Sequence, residues 1–189
     1  EAHLGQDEAG PHLRRALQEA QMAVDLDRGL SMAHRILGQS RGRVGDNSGA
    51  RKALQEAVRL DPADHRALAS LADNFAYLDD EESHAQARSH FKRALDLQPR
   101  DWWVHYRMAV LLLNAGDLKG AAFHGDRARQ LQPMADYAHL TAGISLLWSG
   151  DVGASTQRIE EGLRQVPDSD LLRMTQALCD FARGDHPAF

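Results

Sequence analysis

The dipeptide Gly-Asp returns at a fixed stride. It stands at 116–117, 150–151 and 184–185, each pair 34 residues from the last. Prolines keep almost the same beat, with Pro62, Pro99, Pro133 and Pro167 at intervals of 37, 34 and 34. Self-similarity at a period of roughly 20–50 residues confines a chain to arrays in which one small structural unit stacks on the next. Cutting just after each proline marker gives units 31–64, 65–101, 102–135 and 136–169, with 170–189 as an incomplete unit. Residues 1–30 then hold the end of a preceding unit, mainly its second half.

Small side chains recur at matching places within these units. The eighth position holds Gly38, Ala72, Ala109, Gly143 and Ala177. The twentieth holds Ala16, Ala50, Ala87, Ala121 and Ser155, and the twenty-seventh Ala23, Ala57, Ala94, Ala128 and Gly162. Large apolar residues occupy positions 7 and 24 in most units, including Leu37, Leu71, Met108, Leu54, Phe91 and Ile159. The departures are Ala142 and Gln176 at position 7 and Gly125 at position 24. Positions 4, 7, 8 and 11 share one face of a helix of period 3.6, as do 20, 24 and 27 of a second helix. Two helices approach to about 8–10 Å only where small side chains let their backbones meet. Each unit is therefore expected to be an antiparallel pair, helix A followed by helix B.

The Gly-Asp pair falls where A should end and B begin. Glycine takes the left-handed conformation that closes a helix without a Cβ penalty, and the aspartate after it can accept from the free N–H groups opening the next helix. Gly45-Asp46 repeats the arrangement. Proline stops helix B, and Asp64, Asp101 or Ser169 can cap the helix A that follows. Unit 65–101 is three residues longer, and the surplus is expected in a solvated loop between its helices, around Asp79-Asp80-Glu81-Glu82. That acidic run is also a candidate contact for a basic partner.

Small residues at positions 8, 20 and 27, closed by a proline, resemble the signature of the tetratricopeptide repeat (TPR) family over roughly residues 11–189. The stretch "RDWWVHYRMAVLLLNAGDLKGAAFHGDRARQLQP" looks like one entire repeat. The resemblance implies an all-α, right-handed superhelical solenoid of antiparallel helix pairs. It would hold about five units in one continuous domain, incomplete at both ends. Its helices A would line a concave groove for a protein or peptide.

Other function classes find little support. A formal charge of −5 does not suit a chain that tracks a phosphate backbone, so no nucleic-acid partner is expected. The apolar run Met108–Leu113 is too short for membrane insertion. The single cysteine, Cys179, cannot form an internal disulfide, which favours a cytoplasmic setting. A signal or anchor outside this segment would instead place it in the periplasm or at the envelope. No HExxH, P-loop, GxGxxG or GxSxG motif occurs, and no catalytic residue or cofactor is expected. Ten histidines invite a metal hypothesis, but His34, His105 and His139 all fall on repeat position 4, facing a neighbouring helix. Successive units hold them farther apart than one ion can bridge at about 2.0–2.1 Å per ligand, so no metal is expected.

In the TPR family, partners touch positions 2, 5, 6, 9, 12 and 13. That resemblance nominates Arg35, Gln39, Arg43, Arg66, Asp73 and Tyr77 in the earlier units. In the later units it nominates Trp103, Tyr106, Arg107, Val110, Asn114, Tyr137, Thr141, Ile144, Trp148, Met174 and Leu178. The early groove reads as polar and basic, the later one as apolar and aromatic. Tyr, Trp and Arg are the types enriched in binding hot spots. The leading expectation is a non-catalytic protein-interaction scaffold, with self-association as one use of the groove. The alternative is the TPR region of a larger enzyme, such as a bacterial signalling kinase, cyclase or protein glycosyltransferase, in which it regulates or presents substrates. The later stripe has an alternative too, as a packing face for sequence beyond this chain.

Overall fold

A computed structural model describes residues 10–78 and 80–184, and everything regular among them is helical. The helices are α1 (Pro11–Leu26), α2 (Ser31–Arg43), α3 (Asn47–Leu60), α4 (His65–Ala76), α5 (Glu81–Leu97), α6 (Trp102–Asn114), α7 (Leu118–Leu131), α8 (Asp136–Trp148), α9 (Val152–Gln165) and α10 (Asp170–Arg183). They divide between two compact units, residues 1–99 and 100–189. In the first, α2 packs on α3 and α4 on α5, while α2 and α4 lie side by side. In the second, α6 packs on α7 and α8 on α9, and α8 has both α6 and α10 as neighbours. Among the described residues no helix is long and apolar enough to cross a membrane.

The Gly-Asp joints work at both ends at once. Gly45, Gly116 and Gly150 have φ of 85°, 78° and 88°, in the left-handed region where an added Cβ would be strained. The next residue then closes the finished helix through its own N–H: Asp46 to the Arg41 carbonyl at 2.9 Å, Asp117 to Leu112 at 2.9 Å, Asp151 to Leu146 at 3.0 Å. With the glycine N–H groups bonded three residues back, these are Schellman closures. The same aspartates open α3, α7 and α9 by accepting from Gly49 N, Gly120 N and Ala154 N at 2.8, 2.9 and 2.9 Å. Gly184 repeats the left-handed turn after α10, whereas Asp185 lies outside the described residues. Asp64, Asp101 and Ser169 cap α4, α6 and α10 as their positions predict.

The long unit differs from expectation. Its surplus goes chiefly into a helix, since α5 has 17 residues where α3, α7 and α9 have 14, and the connection before it is one residue longer than in the other pairs. Asp80 is the N-cap, accepting from Ser83 N at 2.7 Å, and Glu81 and Glu82 form the first turn. Carboxylates at a helix N-terminus favour its exposed N–H groups and dipole, so the acidic run extends the helix. The bond from the Ser83 backbone chiefly holds the Asp80 carboxyl below its usual range. Asp79 lies outside the described residues.

The small residues set the spacing between helices. Ala57, Ala72, Ala87, Ala94, Ala109, Ala121 and Ala128 are fully buried. A Cβ on Gly38 would come 2.5 Å from Leu54 Cγ, and one on Gly143 would come 2.5 Å from Ile159 Cδ1, so each glycine is the socket for the large residue at position 24. Two of the three departures, Gly125 and Ala142, meet each other. A Cβ on Gly125 would lie 2.9 Å from the Cα and N of Ala142, so α7 and α8 touch backbone to backbone where the other units place bulk.

Several polar groups between helices are matched, while Nδ1 of His90 and of His139 is buried without a hydrogen-bond partner. Arg129, buried, donates to Asp126 at 2.6 Å and reaches Glu161 at 2.8 Å, while Arg158 donates to Asp126 at 2.8 Å, joining α7 to α9. Burial alone would push the Asp126 carboxyl up; the two guanidinium groups more than reverse this and lower it. The position-4 histidines are engaged at helix junctions. His34 Nε2 meets the Arg28 carbonyl at 3.0 Å and His139 Nε2 the Pro133 carbonyl at 2.9 Å. His105 is buried and its Nδ1 stands 2.9 Å from Nδ1 of His124 on α7. One of these nitrogens must donate and the other accept, so the pair is satisfied only with an unprotonated acceptor. Burial, then the neighbouring His105, lowers the His124 pKa to about 4.

Candidate protein-binding faces

On the first unit, α2 and α4 present a face whose polar groups are partly tied down. Arg35 Nε donates to Asp64 Oδ2 at 3.1 Å, where the carboxylate also caps α4. Gln39 donates to Ser70 Oγ at 2.8 Å. Arg43 and Arg66 are exposed, Tyr77 stands out from the end of α4, and Asp73 is half-buried. Sequence reasoning missed Met32 and Ile36, both exposed on α2. They occupy positions 2 and 6 of their unit, so the registers that nominated Arg66 and Arg107 could have found them. The face is mixed, not purely polar and basic.

On the second unit the A helices α6, α8 and α10 lie next to one another. Trp103, Tyr106 and Tyr137 meet there: Trp103 to Tyr106 at 5.4 Å between ring centroids, Tyr106 to Tyr137 at 4.7 Å, Trp103 to Tyr137 at 6.3 Å. Trp102 closes the cluster from the core side, packing with Tyr106 and Tyr137 over buried Ala128, Ala135 and Ala138. The Arg107 guanidinium lies 6.0 Å from the Trp103 ring centroid. Burial, then Tyr106 and Asp136, raises the Tyr137 phenol pKa, keeping it neutral.

Away from the cluster this face is apolar. Val110 and Ile144 are half-buried, and Asn114 and Trp148 exposed. Met174 and Leu178 of α10 are exposed, and so are Leu171 and Phe181 on the same stripe of that helix. Leu140 and Leu147 instead lean against the core of Ile159, Leu172 and Cys179. Thr141 corrects the sequence reading: it is 5% exposed, and its hydroxyl donates to the Tyr137 carbonyl at 2.7 Å. A buried side chain whose hydroxyl is spent on its own helix is not offered to a partner.

Antiparallel helix pairs packed through small residues, three of them joined by the same glycine turn, define a helical-repeat protein. Tetratricopeptide repeat models match residues 37–80 and 80–144. The chain belongs to the tetratricopeptide repeat family. It is similar in fold to TTC0263 of Thermus thermophilus, a thermophilic TPR protein (18% identity, 89% of this chain and 91% of that one, TM-score 0.73). The PilF protein of Pseudomonas aeruginosa is comparably similar (20% identity, 89% and 71%, TM-score 0.73). So is YrrB, described as a TPR protein with an unusual peptide-binding site (19% identity, 88% and 84%, TM-score 0.69). Among curated proteins none matches the chain.

Proposed function

We propose that this chain is a non-catalytic scaffold that binds a peptide or partner segment on the A-helix faces of its units. The observation that carries the reading is the exposed row Trp148, Met174 and Leu178 on α8 and α10, continued by Leu171 and Phe181. Contiguous apolar surface of this kind on a water-exposed helix marks an interface more often than chance. Aromatic residues and arginine nearby are the types that dominate binding energy. The peptide-binding site named for YrrB supports the same reading, at the level of a shared fold. On the first unit, exposed Arg43 and Arg66 would favour an acidic stretch of the partner.

The test is capture from a lysate of the source organism with the full chain, alongside Met174→Lys and Leu178→Lys. Both side chains are exposed, so helicity by circular dichroism should be unchanged while partner recovery falls. Recovery of the same partners at the same strength by both variants refutes the reading. Sedimentation velocity of the same proteins reports whether the captured partner is a second copy of this chain.

A further inference from the structure

We propose that the shelf made by Trp103, Tyr106 and Tyr137 is the seat for a cationic side chain, a guanidinium or an ammonium, of the bound segment. The proposal rests on the reading that this face binds protein, and it names the chemistry recognised at one end of it. Three observations converge. First, the rings are mutually inclined, at 48° for Trp103 and Tyr106, 56° for Tyr106 and Tyr137, and 87° for Trp103 and Tyr137. Such rings form an angled surface with electron-rich faces turned in different directions, unlike a parallel stack that hides them.

Second, the chain already brings a cation to this surface. The Arg107 guanidinium carbon is 6.0 Å from the Trp103 centroid, at the outer limit of an effective cation–π contact. Trp103 remains 42% exposed beside it, so ring surface is left for a closer guest. Third, a carboxylate opens each of the two helices that carry the shelf. Asp136 immediately precedes Tyr137, and its charge is felt by that phenol. Asp101 caps α6 through bonds to Trp103 N and Val104 N at 3.0 and 3.3 Å. An anionic guest is repelled by the electron-rich ring faces that attract a cation. A plain aliphatic guest has the exposed α10 row available and gains nothing from the ring quadrupoles.

The experiment uses the full chain, 15N-labelled, titrated with the peptide acetyl-Gly-Ser-Arg-Gly-Ser-amide and with its citrulline counterpart. Citrulline keeps the shape and hydrogen-bonding length of arginine but carries no charge. The indole N–H signals are assigned with Trp102→Phe, Trp103→Phe and Trp148→Phe. The expected result is a saturable shift of the Trp103 indole with the arginine peptide and binding about fivefold weaker, or worse, with citrulline. Trp103→Leu should abolish binding, and Trp103→Phe should keep most of it. Equal binding of the two peptides overturns the proposal, and so does a Trp103 signal that neither moves. If Trp103→Leu fails to fold, the arginine-to-citrulline ratio on the unaltered chain decides alone. A failed seat with capture still lost in Met174→Lys removes only the cation; insensitive capture removes the broader reading as well.

Discussion

A repeat consensus would place a large apolar residue at position 125, because Leu54, Phe91 and Ile159 fill that register elsewhere. Gly125→Leu should nevertheless destabilise the protein. The first added carbon alone would lie 2.9 Å from Ala142 Cα and N and 3.1 Å from its Cβ. Backbone cannot rotate out of the way, so α7 and α8 must separate or the leucine must leave its rotamer. Overpacking of a tight core costs about 1–3 kcal/mol, and this site belongs at the top of that range. Replacing a helical glycine returns about 1 kcal/mol through helix propensity. The net is a loss of about 2 kcal/mol, which in a protein of this size lowers Tm by roughly 4–8 °C. Gly153→Ala is the control in the same unit. Its new Cβ would meet nothing nearer than Asp151 Oδ1 at 3.8 Å, so it should raise Tm by a few degrees at most, for about 0.5–1 kcal/mol. Thermal melts followed by circular dichroism at 222 nm read both. A Gly125→Leu protein that melts at or above the parent temperature would show that α7 and α8 do not meet as described.

Asp117→Ala should cost about 1 kcal/mol by leaving Gly120 N without its acceptor, lowering the urea midpoint while Gly116 still makes the turn. The His105–His124 pair should make stability depend on pH. The folded-state pKa of His124 is about 4 against 6.5 for a free imidazole, so the unfolded chain takes up the proton first. Stability is then full above pH 6.5 and falls as pH drops toward 4, by up to about 1.4 kcal/mol per pH unit. Melts at pH 7 and pH 5 should differ, and His124→Gln should narrow the gap; an equal gap would show that another group governs the dependence.

Much of this architecture could be read before any coordinates, because repetition makes local signals check one another. One Gly-Asp is weak evidence for a turn, but the same pair at a constant stride, flanked by small residues in fixed register, leaves antiparallel helices as the simple solution. The outcome at Gly45, Gly116 and Gly150 follows from backbone sterics and needs no tertiary information. Where reading failed, the deciding information lay across helices. Gly125 and Ala142 looked like two separate exceptions; only their contact shows that each makes room for the other. Thr141 shares its register with Arg107, yet whether that register faces water depends on the neighbouring helices. The acidic run at 79–82 has loop composition, and its effect on the α5 N-terminus comes from a helix dipole that composition does not display.

The longer α5 has a consequence for how such arrays vary in length. Its additional residues are Glu81, Glu82 and Ser83, ahead of the buried Ala87, Phe91 and Ala94. Three residues in a helix add about 4.5 Å of rise, all of it at the N-terminal end, where Glu81 and Glu82 are exposed and Ser83 is buried. Growth at this point leaves every downstream side chain in phase, whereas the same insertion between Ala87 and Phe91 would rotate the second half of the helix off its partner. The start of a second-position helix is thus a natural growth point, one where an epitope, a charge cluster or a tether could be grafted without touching the stack beneath.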